Sequence, residues 1–233
     1  NLSANLQTVN LPLTLSGTRT VYGFNSAVKL GGVLGGTGGL WVSVTNSSLT
    51  LSGANTYEGV TTVSNGQLSV THSSALGSTN GNTVVYCRNT GCLQLSGGID
   101  LAEPITLSGQ RPSYGYSLLS ASGSNTLSGP LTRLNEIRLN ANGGATLAVI
   151  GGVIPSGSGD MVINSSGTIA FYKTPVNLGA NAFYTDSGGL TVLGVAGNTW
   201  GDTLVASGTL RLDITNALPE STLLKLGVDY GPN

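Results

Sequence analysis

The chain has 233 residues, a formal net charge of −1 and only 8% charged residues, against about 25% in an average soluble domain. No run of about 18 apolar residues is present, which excludes a membrane-spanning helix. The near-zero charge balance leaves no electrostatic handle for nucleic acid or an anionic membrane. Leu, Val and Ile recur at short, regular intervals, which argues against disorder and predicts an all-β chain with a Thr, Ser and Asn surface.

Taken in order, residues 1–15 place Leu2, Leu6, Val9, Leu11, Leu13 and Leu15 in mostly alternating positions and stop at Ser16-Gly17. Short strands follow at Thr20-Val21-Tyr22 and Ala27-Val28-Lys29-Leu30. A glycine-rich stretch, residues 31–39, leads into Leu40-Trp41-Val42 and is echoed at residues 151–162. Residues 49–70, LTLSGANTYEGVTTVSNGQLSV, hold three alternating runs of three to four residues, separated by Ser52-Gly53-Ala54-Asn55 and Ser64-Asn65-Gly66. Alternation puts one set of side chains on each face of a strand. Strands this short suit the coils of a solenoid.

Further strands are predicted at residues 83–86, 93–95, 104–107, 114–119, 125–131, 137–139, 146–150, 168–172 and 222–226. No window of 11 or more residues shows the 3.6-residue apolar period, so no long helix is expected. Residues 74–76 and 216–218 read as brief helical turns or corners.

The central unit recurs at residues 190–212, LTVLGVAGNTWGDTLVASGTLRL. Gly66 corresponds to Gly208, a shift of 142 (208 − 66), and Ala75 to Ala217, again 142 (217 − 75). Asn55-Thr56-Tyr57 corresponds to Asn198-Thr199-Trp200. A repeat means a stacked architecture. Residues 1–233 are expected to form one continuous β-solenoid segment of a longer repeat protein, with related units near 28–95 and 150–227. Coils of about 20–25 residues give roughly ten of them, and about 4.8 Å per coil gives a body about 50 Å long.

Two cysteines occur, in Cys87-Arg88-Asn89-Thr90-Gly91-Cys92. The residues between them are turn formers, and a turn brings two Cα atoms within disulfide range. A Cys87–Cys92 disulfide is therefore expected, two free buried thiols being the alternative. A disulfide implies an oxidising, exported location.

Residues 49–70 resemble the passenger-associated, or autotransporter-associated, β-strand repeat of bacterial surface proteins. That pattern runs Leu-Thr-Leu-Ser-Gly-Ala-Asn-Thr-Tyr-Thr-Gly-Gly-Thr-Thr-Val and then Gly-Thr-Leu; Glu58 and Val60 depart from it. Residues 35–40, 75–77, 95–99, 103–107 and 125–130 are similar to the family's linking coils. The second unit follows it less closely, because Gly197 and Asp202 break the pattern. The resemblance implies a right-handed parallel β-helix, exported and displayed at the bacterial cell surface, with no chemistry and no cofactor. It implies a structural or adhesive stalk, with a host-surface or glycan ligand as a candidate partner; a membrane barrel downstream of this window is expected in autotransporters proper, while long repeat proteins without a barrel also carry the motif. A self-assembling extracellular filament and a polysaccharide-binding or -cleaving β-helix are the alternatives.

Some residues carry chemical potential of their own. His72, the one histidine, has no Gly-x-Ser-x-Gly elbow with it and reads as a surface or corner residue. The ten acids, Glu58, Asp100, Glu103, Glu136, Asp160, Asp186, Asp202, Asp213, Glu220 and Asp229, are scattered singly. A glycosidase needs two carboxylates facing one cleft, a condition that stacked coils would meet if they brought Asp186 and Asp202 together. Gly157-Ser158-Gly159-Asp160-Met161-Val162 resembles one turn of a calcium-binding repeat but occurs once, so a loop is the better reading. Asn1, Asn46 and Asn164 begin Asn-x-Ser sequons. Trp41, Trp200, Tyr57, Tyr114, Tyr116 and Tyr172 either bind sugars as an exposed row or plug corners. The equivalence of Tyr57 with Trp200 favours the second role. Neither residues 1–15 nor residues 222–233 read as a cap, so each end is expected to continue, into more of the same chain or into an identical neighbour.

Overall fold

The computed structural model describes residues 5–87, 93–109 and 115–227. Among them every regular element is a strand. Every strand pairing is parallel and joins one coil to the next, so the chain winds as a β-solenoid of about ten turns.

Three faces recur, numbered in the order the chain visits them. The first is an unbroken ladder, with Gln7–Val9, Val28–Leu30, residues 49–51, residues 68–70 and Leu93–Ser96 as its first members. It continues through Leu118–Ser122, Ile137–Ala141, Met161–Ile163, residues 183–185, residues 203–205 and Leu224–Leu226. The step between stacked partners varies: from Leu49 to Leu68 it is 19 (68 − 49), and from Leu68 to Leu93 it is 25 (93 − 68). The second face stacks Asp100, Thr126, Ala148, Ala170, Val192 and Arg211. The third stacks Arg19, Leu40, Thr61, Thr83, Ile105, Leu131 and Val153.

Alternation decides which side chains fill the bore. Leu49, Leu68, Leu93, Leu118 and Leu139 stack directly on one another and are all fully buried. Each such leucine is worth about 1.5–3 kcal/mol of burial. In the C-terminal half aromatics fill the same bore. Phe171 meets Phe183 edge-on at 5.9 Å, and Phe183 stacks on Trp200 at 4.8 Å.

The corners differ from expectation in one respect. Ser64-Asn65-Gly66 does not separate two strands. Thr61–Val70 is one strand that bends from the third face to the first, with a register shift against the preceding coil. Gly66 makes the bend at φ 74°, and a Cβ there would fall on the carbonyl oxygen of Val44. Gly208, its counterpart, bends Thr203–Leu212 at φ 80° against the carbonyl of Ser187. Only glycine meets both demands. Residues 74–76 form a hydrogen-bonded corner, with Ala75 N–H donating to His72 O at 2.9 Å, and not a helix.

The sequence repeat is not a whole number of coils. Residues 49–51 lie on the first face, whereas their counterparts at residues 190–192 lie on the second. Residues 61–63 lie on the third face and residues 203–205 on the first. The second unit has therefore advanced by one face around the axis.

Candidate functional site

Among the buried polar residues, Glu103 and Arg133 stand out as ionisable groups inside the bore. Glu103 precedes Ile105 and Leu107 on the inward parity and is 5% exposed. Its Oε1 accepts a hydrogen bond from Thr83 Oγ1 at 2.7 Å, while its Oε2 is buried without a partner. Thr83 stacks on Thr61, whose Oγ1 lies 2.5 Å from the Tyr57 hydroxyl. The four residues form a polar thread through a leucine core. Burial pushes the Glu103 carboxyl up to about 7, against the opposing Thr83 hydrogen bond. Burial likewise pushes the Tyr57 hydroxyl above the usual phenol range; the Thr61 hydrogen bond opposes this and the Glu103 charge adds to it. A carboxyl buried in this way keeps its proton up to about pH 7.

Arg133 is the second group, fully buried on the third face, where it stacks over Leu107. Its guanidinium donates to the carbonyl oxygens of Gly157 at 3.1 Å, Leu178 at 3.3 Å and Asn135 at 3.4 Å, and also to that of Gly159. Burial lowers its pKa, and Asp160 opposes the shift. The residue 157–162 turn is thus organised by a guanidinium. Asp160 Oδ1 accepts from Ala182 N–H at 2.8 Å.

The other acids are held individually. Glu136 pairs with Arg138 at 3.2 Å, Asp213 with Arg211 at 2.7 Å and Asp202 with Lys225 at 2.6 Å. Asp100 Oδ1 accepts from Ser128 Oγ at 2.6 Å. Asp202 and Asp186 do not converge. Asp202 precedes Thr203, the register partner of Phe183, and its carbonyl accepts from Phe183 N–H, whereas Asp186 is paired with Ser207. About four residues, or roughly 13 Å, separate them along the face. Among the described residues, no group of three His, Cys, Asp or Glu is placed to hold a metal.

His72 is exposed, and its Nδ1 accepts from Ser74 N–H at 3.1 Å, so it shapes the corner. Asn46 is exposed at a corner with φ 48°. Asn164 donates to Asp186 O at 3.1 Å. Cys92 and the side chain of Cys87 lie outside the described residues, and with them the expected disulfide; Asn1, Tyr114 and Asp229 do too.

The aromatics divide. Tyr57 and Trp200 are buried, as the repeat indicates. Trp200 Nε1 donates to Thr203 Oγ1 at 2.8 Å, the counterpart of the Tyr57–Thr61 bond. Trp41 faces out and is 40% exposed, on the third face with Tyr22 at 71% and Phe24 at 53%. The outward strand positions described from Thr20 to Ser108 on this face hold Thr, Ser, Asn, Val and aromatic residues, with no Asp, Glu, Lys or Arg. Tyr86, 38% exposed, extends the aromatic set.

Tyr22, Phe24, Glu103 and Arg133 are not singled out by motif. Parity carries the signal for all four. Leu131-Thr132-Arg133 puts Arg133 on the same side as a core leucine, and Leu40-Trp41-Val42 puts Trp41 on the opposite side from two core residues. A comparison of the chain with protein-family models, with curated proteins and with solved structures finds no match.

Proposed function

We propose that the chain is a rigid structural and adhesive segment of an exported bacterial surface protein, acting as a stalk or fibre. The observation that carries this reading is the first-face ladder, which runs without interruption from Gln7 to Leu226. Ten stacking steps at about 4.8 Å make a rod of about 50 Å, braced internally by leucine stacks. A rod that pairs each backbone edge with the next coil leaves open edges only at its ends. The resemblance of residues 49–70 to the autotransporter-associated repeat supplies the exported, cell-surface setting. The test is protease treatment of intact cells of the natural host. Digestion of this segment on intact cells supports the reading, and protection until the cells are lysed overturns it.

A filament built from stacked copies is the second reading. Sedimentation over a range of concentrations separates the two: growth into elongated species supports stacking of copies, and a concentration-independent monomer counts against it.

A further inference from the structure

We infer that the outward third face of the N-terminal coils, centred on Tyr22, Phe24 and Trp41, is a binding surface for a neutral polysaccharide. The inference deepens the adhesive part of the reading above and rests on it for its biological setting.

Placement is the first argument. Tyr22 and Phe24 lie two residues apart on one strand, Arg19–Phe24, so both rings leave the same side. Trp41 lies one coil on, level with Thr20, and so stands diagonally from Tyr22. One coil of about 4.8 Å and two residues of about 3.3 Å each put their backbone positions roughly 8 Å apart. Three large rings exposed by 40–71% on one flat face form a platform. They do not plug a corner, the role that Tyr57 and Trp200 fill.

Composition is the second argument. The gaps between the rings carry hydroxyls, Thr20, Ser43, Thr45 and Thr62 among them, and the described outward positions of this face hold no Asp, Glu, Lys or Arg. Arg19, at the edge, turns its guanidinium to Ser16 O at 2.7 Å. An anionic glycan, a nucleic acid or an acidic peptide finds no cation among them. A purely apolar partner would strand the hydroxyls without hydrogen bonds, at a cost. A hexose polymer presents what the face presents, apolar C–H faces for rings to stack on and hydroxyls at their rims. Its repeating units also suit a surface that itself repeats at every coil.

The test is native affinity electrophoresis in gels containing hydroxyethyl cellulose, dextran or mannan, with polygalacturonate as the charged control. The expected result is at least a twofold loss of relative mobility in one or more neutral gels, restored in the Tyr22→Ala/Trp41→Ala variant. The same polymer should protect wild-type tryptophan fluorescence from acrylamide, because Trp41 is exposed and Trp200 is 3% exposed. Ser43→Lys, on the same face, should abolish retardation if the double variant does not fold. Four results overturn the inference: no retardation or protection by any neutral polymer; retardation by polygalacturonate alone; retardation that persists in a folded variant; or wild-type dimers that the variant abolishes, which would make the face an interface between copies. None of these outcomes alters the protease result on intact cells, so the two readings fail separately.

Discussion

Asn55 and Asn198 share two equivalent hydrogen bonds in the two related units. Asn55 Oδ1 accepts from Leu34 N–H of the preceding coil at 2.8 Å, and its Nδ2 donates to Ala75 O of the following coil at 2.6 Å. Asn198 Oδ1 accepts from Val176 N–H at 2.8 Å, and its Nδ2 donates to Ala217 O at 2.7 Å. Each buried asparagine therefore joins three successive coils where the ladder lapses at a corner. The sequence repeat preserves this join even though the second unit lies one face further round the axis.

Asn55→Ala or Asn198→Ala would leave a buried amide and a buried carbonyl without partners. Each substitution is expected to lower stability by about 1–3 kcal/mol. The two sites are separated by about six coils, or roughly 30 Å, so the double variant should show the sum. Urea unfolding measures all three. A change below about 0.5 kcal/mol, less than one ordinary hydrogen bond contributes, would mean that water replaces the side chain at no cost.

Glu103 should make stability depend on pH. Its folded-state value of about 7 lies above the ordinary 4.5, so the folded chain binds this proton more tightly than the unfolded chain. The contribution is fully present below about pH 4.5 and is lost as pH rises through about 7. Glu103→Gln, which keeps an oxygen for Thr83, should match wild type near pH 5. At pH 8 it should be the more stable by on the order of 1–3 kcal/mol. Parallel stability curves for the two proteins from pH 5 to pH 8 would rule this out.

Arg133 is held by carbonyl dipoles and has no ion pair among the described residues. Arg133→Ala would open a cavity and orphan those carbonyls, and is expected to cost about 3 kcal/mol. Arg133→Met fills most of the volume and removes the burial cost of the charge, so it should recover at least half of that loss. Thermal melts read the difference at about 2–4 °C per kcal/mol for a chain of this size. An alanine variant as stable as wild type would show that the turn at residues 157–162 holds itself.

The short alternating runs and Gly/Asn/Ser corners by themselves determined an all-β solenoid with coils of about 20–25 residues, because only stacking lets strands this short bury a continuous core. The repeat also paired Asn55 with Asn198 and Tyr57 with Trp200, and each pair plays one role. The tertiary structure decided the phase. Coil length varies with the corners, and these increments accumulate to turn the second unit by a face; no local pattern records that sum. Parity along a strand separates two sides but does not say which faces the bore when both carry small polar residues. Thr61 and Thr83 point inward and are fully buried, whereas Thr20 and Trp41 point out. Stacking against the neighbouring coils settles the choice there, as it does for Thr61 and Thr83.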